Sequence, residues 1–403
     1  MIPTDWEVKK IGELCEYHNG TSLEHLFNSR NGLRVISIGN YSTEGRYIHR
    51  DSYISSSHRK NIEKFVLNKG DLAMSLNDKT STGAILGRAL LIDNDNEFVF
   101  NQRTMRLRPK NSVIPSFLHH AINGDYLHGA LVSLAKPGTQ IYINTDDVVN
   151  LLVPVPPVAE QHAIAIALSE MDTLISSLDQ LIAKKRDIKL ASMQQLLTGQ
   201  KRLPGFSGKW KVKRLGDVAS FLKGKGLAKS ELVPYGADPC IHYGELFTLY
   251  PETIGEVISR TTGSREALRS IANDVLMPTS DVTPRGLAKA SCVTVDGVIL
   301  GGDILVIRSD SKQIDGSFLS YVIRSHEDQV LQFVSGSTVF HLYGSDMKKF
   351  TFSLPPVPEQ TAIVNILSDM EGELAKLESR RQQTTQLKQG MMQELLTGRT
   401  RLI

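Results

Sequence analysis

The stretch MQQLLTGQKRL at residues 193–203 returns as MQELLTGRTRL at residues 392–402, and this duplication constrains the fold more than any other feature of the 403-residue chain. Aligned without a gap at an offset of 199, residues 153–203 and 352–402 are identical at 20 of 51 positions. Fainter matches keep the same order. DWEVKKIGELCEYHNG from residue 5 answers KWKVKRLGDVASFLKG from residue 209, pairing Trp6, Val8, Gly12 and Gly20 with Trp210, Val212, Gly216 and Gly224. RVISIGN answers PCIHYGE, KGDLAMS answers ANDVLMP, and GTQIY answers GSTVF. Internal repetition on this scale predicts two copies of one unit. The expected plan is a first globular domain at 1–152, a long helix at 153–204, a second globular domain at 205–351 and a second long helix at 352–403.

Each trailing segment reads as one helix. After Pro156 and Pro157, which do not fit a helix interior, apolar residues recur at Ile164, Leu168, Met171, Ile175, Leu178 and Ile182 in alternating steps of four and three. That spacing is a heptad seam. The second copy repeats it at Ile363, Leu367, Met370, Leu374 and Leu377, then turns polar at Arg381 and Thr384 before Leu387, Met391 and Leu395. Gly199 and Gly398 stand where a left-handed C-cap is expected. A helix over 158–197 would be about 60 Å long at 1.5 Å per residue. One narrow apolar stripe calls for a partner, and the other copy carries the matching stripe. Either each stripe packs on its own globular neighbour, or a twofold relation between the copies makes the two helices an antiparallel coiled-coil rod with a globular unit at each end, the arrangement favoured by the duplication.

The globular parts read as β-rich, with short runs such as LRVISIG, GRALLID, EFVFNQRTMRLRP and VILGGDILVIR bounded by Gly, Asn and Asp. IPSFLHHAIN and GSFLSYVIRS read as helices. The fold class is α+β, with two pseudo-repeated β-rich domains joined by two long antiparallel helices.

Composition excludes several classes. No window approaches the roughly 20 apolar residues of a membrane span, and the start MIPTDWEVKKIGEL lacks the apolar core of a signal peptide, so a cytoplasmic protein is expected. Cys15, Cys240 and Cys292 are scattered, without metal-ligand spacing, and read as small buried hydrophobes. There is no GxxxxGK[ST], HExxH, CxxC or GxSxG, and no [DN]PP[YF] tetrapeptide, so no catalytic or metal residues are assigned. His119 and His120 are adjacent and point to different faces of a helix, a poor arrangement for one metal. Asp146 and Asp147 suit a turn or helix cap. Lys and Arg exceed Asp and Glu by only 17 to 16 in both residues 1–150 and residues 205–350, so any basic surface is local, as in RNGLRV, NQRTMRLRPK and KWKVKRL.

Two variable units, each closing on PPVxEQ (Pro156, Pro157, Glu160, Gln161; Pro355, Pro356, Glu359, Gln360) and a long helix, resemble the specificity subunit of type I restriction-modification systems. The W.VK.[IL]G starts and GD[IL] turns strengthen the likeness, which covers essentially the whole chain. The resemblance implies two target recognition domains, each reading one half of a split, asymmetric sequence in double-stranded DNA, with the paired helices as spacer. It also implies methyltransferase subunits carrying S-adenosylmethionine and restriction-translocase subunits using ATP and Mg as partners, with no cofactor in this chain.

Polar loop residues beside matched landmarks are the candidate DNA contacts: Lys79, Thr80 and Ser81 with Lys136, Thr139, Gln140 and Tyr142 in the first copy. In the second they are Lys225, Ser280, Thr283, Arg285 and Lys289 with Ser337, Thr338 and His341. Arg and Lys suit guanine O6 and N7, Gln suits adenine, and hydroxyls suit bases or phosphate. The competing readings are a non-catalytic coiled-coil scaffold, an orphan DNA-binding protein, or a fused enzyme whose catalytic region is missing. The last is disfavoured because the duplicated units fill the chain.

Overall fold

A computed structural model describes residues 2–28, 30–80, 82–136, 140–262 and 267–402. The two long helices form as the heptads predict: α1 spans Val158–Leu197 and α2 spans Val357–Leu395. Two compact units result, and only the second is a continuous stretch of chain. The first comprises Met1–Gln180 with Glu378–Ile403, the second Leu181–Leu377. Each therefore contains half of both helices.

In the first unit the strand Glu7–Lys10 pairs antiparallel with Leu152–Val155, so the chain's start is zipped to the segment just before the PP motif. Lys211–Arg214 and Thr351–Leu354 do the same in the second unit. The first unit's main sheet has the order Cys15–Asn19, Thr104–Pro109, Leu72–Ser75, Ala89–Leu91, all antiparallel. Its counterpart runs Ala219–Lys223, Ile304–Ser309, Asp274–Pro278, Ser291–Val293, with Thr253–Ile254 added in parallel at the edge. A second sheet with the same number of strands, mostly shorter and so smaller in extent, flanks each. Pro115–Asn123 and Gly316–Ser325 are the two expected helices.

The matched glycines Gly20 and Gly224 are explained by crowding: a Cβ at either would lie 1.9 or 2.0 Å from the carbonyl oxygen of Asn101 or Gly301. The runs EFVFNQRTMRLRP and VILGGDILVIR are each two strands rather than one. Phe98–Phe100 and Ile299–Leu300 belong to the smaller sheets, and Thr104–Pro109 and Ile304–Ser309 to the main ones.

Within each unit the two helix halves run antiparallel. In the first, Asp172 and Asp179 of α1 meet Lys388 and Arg381 of α2, ascending residues against descending ones. In the second, Lys185 and Lys189 meet Glu373 and Glu371. Asp172–Lys388 and Glu371–Lys189 are the same pair seen twice, since both residues shift by 199. The polar centre of α2 is filled rather than open. Thr384 is buried with its hydroxyl donated to the Arg380 carbonyl, and Arg381 sits 3.0 Å from Asp179.

The repeated LLTG ending has a packing role in both units. Leu196 and Leu197 enter the core of the second unit with Val275, Phe318, Ile363 and Leu367. Leu395 and Leu396 enter the core of the first with Phe117, Leu131, Ile164 and Leu168. Burying a leucine contributes about 1.5–3 kcal/mol. The hydroxyls of Thr198 and Thr397 bond back to Gln194 and Gln393, and Gly199 and Gly398 take φ of +71° and +70°. Only a residue tolerating the left-handed region ends a helix this way at low cost. Gly199 also lies against the Trp210 ring and Gly398 against Trp6 and Pro3. Ile164, Leu168, Ile175, Leu178, Ile363, Leu367 and Leu374 are buried, while Met171, Met370 and Leu377 are half-buried. Cys15, Cys240 and Cys292 are buried free thiols, and burial pushes them up to about 12, 11 and 12 respectively.

Candidate nucleic-acid interface

The conspicuous PPVxEQ motif proves to hold each unit together. Glu160 is almost fully buried and accepts three hydrogen bonds: from the Trp6 indole at 3.0 Å and from Arg401 Nε and Nη2 at 2.6 and 2.7 Å. Arg401 also forks onto Asp5, at 3.0 and 2.7 Å, and that guanidinium holds Asp5 below the usual carboxylate range. Glu359 repeats the arrangement with Trp210 at 3.1 Å and Arg202 at 2.6 and 2.6 Å. These bidentate, charge-assisted contacts tie the residues after each LLTG to the first turn of the opposite helix and to the tryptophan that opens the domain.

The neighbouring glutamines act on the backbone. Gln161 accepts from the Ile114 N–H at 2.8 Å and donates to the Pro156 and Ser112 carbonyls. Gln360 accepts from the Asp315 N–H at 2.8 Å and donates to the Pro355 and Gln313 carbonyls. Each glutamine fixes the helix start and the loop that launches the domain's main short helix. Sequence spacing marked these residues but did not reveal that they serve assembly of the unit.

The candidate reading residues lie elsewhere, on a small ribbon. Asn77–Asp78 pairs with Ile141–Tyr142, bringing Lys79 and Thr80 beside Gln140 and Tyr142. Asp78 is buried and shapes the loop by accepting the Thr80 N–H and hydroxyl at 2.7 and 2.9 Å and the Ile85 N–H at 2.9 Å. Lys79, Thr80 and Tyr142 are exposed. Lys136 pairs through its backbone with Tyr142 and places its ammonium 3.4 Å from Asp147. Ser81 and Thr139 lie outside the described residues.

In the second unit Ser280–Asp281 pairs with Phe340–His341, which pairs in turn with Ser335–Gly336. Ser280 is thus opposite His341, and Ser337 and Thr338 form the exposed tip of the adjoining hairpin. Asp281 accepts the Thr283 hydroxyl at 2.7 Å. His341 stacks near Tyr343 and lines a groove of about 470 Å³ with Lys223, Thr279, Asp303 and Lys348. Lys225 is exposed beside it, where Gly226 accepts the Gly302 N–H. Arg285 lies within the 3₁₀ turn Pro284–Ala288 and Lys289 follows it, and Arg285 reaches Glu327 at 3.2 Å. Both ribbons are built alike but carry different chemistry: lysine, glutamine and tyrosine in the first, serine, threonine and histidine in the second.

His119 and His120 pack against α2 in the first unit, their rings 5.2 Å apart. His120 is buried, with Nε2 3.2 Å from the Ser169 hydroxyl. No group of three or more His, Cys, Asp or Glu is arranged to hold a metal among the described residues. Burial, with Lys388 nearby, lowers His119 to about 4, and burial with His119 lowers His120 to about 2. His128, lowered first by burial, stands at about 4. An unfolded histidine titrates near 6.5, so below that pH the unfolded chain binds protons that the folded unit refuses. This contribution to stability is complete above pH 6.5 and is lost as pH falls toward about 4. Thermal unfolding is therefore expected to show a lower midpoint at pH 5 than at pH 7, with His120→Gln reducing the difference. Equal midpoints at both pH values in the wild-type protein would refute this assignment.

The comparisons agree with this architecture. The family model for the type I restriction modification DNA specificity domain matches twice, at residues 3–184 and 207–388. The chain belongs to that family and carries its domain in duplicate. A putative type I restriction enzyme MjaX specificity subunit from Methanocaldococcus jannaschii is 23% identical, with 100% of this chain and 95% of that protein covered. The MjaVIII specificity subunit of the same organism is 28% identical over 50% of this chain and 48% of its own length. The fold is that of the type I restriction-modification S subunit from M. genitalium, at a TM-score of 0.64 and 16% identity over 98% of this chain and 96% of that one. A chain from a structure concerned with complex assembly and conformational transition of the type I R-M system matches at a TM-score of 0.58 and 17% identity, with 98% of both covered. The chain is accordingly a DNA-recognition subunit with two recognition domains. Among the described residues no helix is long and apolar enough to cross a membrane.

Proposed function

We propose that each domain reads one half of a bipartite DNA target through its ribbon and the loops beside it, while the paired helices set the distance between the half-sites and help recruit methyltransferase subunits. The observation carrying this reading is one recognition scaffold used twice with unlike exposed side chains. Identical scaffolds bearing identical side chains would favour a palindrome; these favour an asymmetric site. Catalysis then belongs to partners, with S-adenosylmethionine on the methyltransferase and ATP with Mg on a restriction-translocase subunit. Such partners would also supply phosphate contacts to a chain whose net charge is only +3.

Selection from randomised duplex DNA by the full-length chain, bound to a type I methyltransferase subunit that it recruits, tests the proposal. The expected product is one split, non-palindromic motif with a fixed gap. Enrichment of no motif by a complex that still binds DNA would instead favour a scaffold that does not read sequence.

A further inference from the structure

The point where each domain's chain leaves the smaller sheet for the main one is a turn whose last residue is left-handed. Arg103 has φ +64° and Asp303 has φ +59°. These residues occupy the same backbone frame. The Arg103 carbonyl accepts from Leu76 N–H at 2.8 Å, and Leu76 accepts from Ile143 at 3.0 Å. The Asp303 carbonyl accepts from Thr279 N–H at 2.9 Å, and Thr279 accepts from Leu342 at 3.0 Å. Gly20 and Gly224 close the frame on the next residue, donating to Thr104 and Ile304. Glycine would adopt this conformation without strain, yet a charged side chain stands at both positions. Strain kept where glycine would serve marks a side chain needed for something other than the turn.

We propose that this turn residue reads a base edge in each domain: Arg103 a guanine through O6 and N7, and Asp303 the exocyclic amino group of a cytosine. The inference rests on the DNA-recognition reading above and assigns two specificity-determining residues to it. Arg103 is exposed and directed at the ribbon, where Gln140 Oε1 accepts its Nη1 at 2.5 Å. A neutral amide orients the guanidinium without neutralising it, and leaves the Nε and Nη2 edge for the two acceptors of guanine. Asp303 receives Thr279 Oγ1 at 3.4 Å and lies 3.6 Å from Lys223, a cation that offsets its repulsion from phosphate. A carboxylate suits the N4 amino group of cytosine, as a guanidinium suits guanine. One frame thus presents opposite charges in the two domains.

The test is the duplex selection repeated with Arg103→Gly and Asp303→Gly in the full-length complex. Glycine relieves the backbone strain, so the thermal midpoint of either variant should equal or exceed that of the wild type. In Arg103→Gly the preference for guanine at one base pair of one half-site should collapse from about tenfold or more to about twofold or less, with the other half-site unchanged. Asp303→Gly should relax one base pair in the other half-site. Arg103→Asn, which also tolerates the left-handed region, guards against a glycine-specific folding defect and should relax the same pair. Full retention of preference at every base pair by Arg103→Gly would overturn the proposal. So would a uniform loss of affinity with no position relaxed, which is the behaviour of a phosphate contact. Failure of the wild-type complex to select any motif would instead defeat the DNA-recognition reading itself.

Discussion

Replacing Gln360 with leucine is expected to destabilise the second unit by about 3–5 kcal/mol, although the substitution is apolar, similar in size and remote from the ribbon. The side chain is fully buried and makes three hydrogen bonds, to one backbone N–H and two backbone carbonyls. Leucine leaves all three groups without this partner; the Pro355 contact is buried and the other two are partly buried, and a stranded buried group costs about 1–3 kcal/mol. The Asp315 N–H is also the point at which the Gly316–Ser325 helix is launched, so its loss propagates into the core. Gln161→Leu should produce the same loss in the first unit. Gln360→Glu is the informative companion, because a carboxylate keeps the acceptor but cannot donate to the Pro355 and Gln313 carbonyls. It too should be destabilised at neutral pH. Chemical denaturation measures the effect, and a Gln360→Leu protein within about 1 kcal/mol of wild type would contradict the role given to the motif.

The second large effect concerns a truncation. Ending the chain after Gly390 should destabilise the first unit, which is built from Met1–Gln180 and Glu378–Ile403. The deletion removes Leu395 and Leu396 from a core that includes Phe117 and Leu168, a loss of about 3–6 kcal/mol in burial. It also leaves Glu160 buried without Arg401, retaining only the Trp6 indole as a donor. Amide hydrogen exchange at residues 7–14 and 115–131 should rise by orders of magnitude. Unchanged protection in those segments would mean that the docked end of α2 does not support the first domain.

The duplication, the two helices, their seams and their glycine caps were legible because they depend on local rules: heptad spacing, proline exclusion and left-handed conformation. Which core each LLTG docks into was not legible. Leu196 and Leu395 carry the same local sequence, and only the antiparallel pairing within each unit decides their neighbours. The duty of Glu160 and Gln161 escaped for a similar reason, since their partners Arg401, Trp6 and Ile114 are up to 241 residues away. Matched landmarks picked out Lys79, Thr80, Gln140 and Tyr142, and Ser280 and His341, as separate loop candidates, but that the strands carrying them pair into one ribbon was not legible, because it depends on contacts about 60 residues apart. Arg103 and Asp303 were hidden inside runs that alternate well enough to pass for single strands. Only the backbone shows that the chain turns there from one sheet to another.

On the proposed reading, two unlike domains of one chain specify two unlike half-sites. Modified-base sequencing of DNA from cells carrying this gene together with a type I methyltransferase subunit that binds its product, compared with cells carrying the methyltransferase alone, addresses it most directly. The expected result is a split, non-palindromic methylated motif that appears only when this chain is present. A palindromic motif, or an identical methylation pattern with and without the chain while the methyltransferase is active, would contradict it.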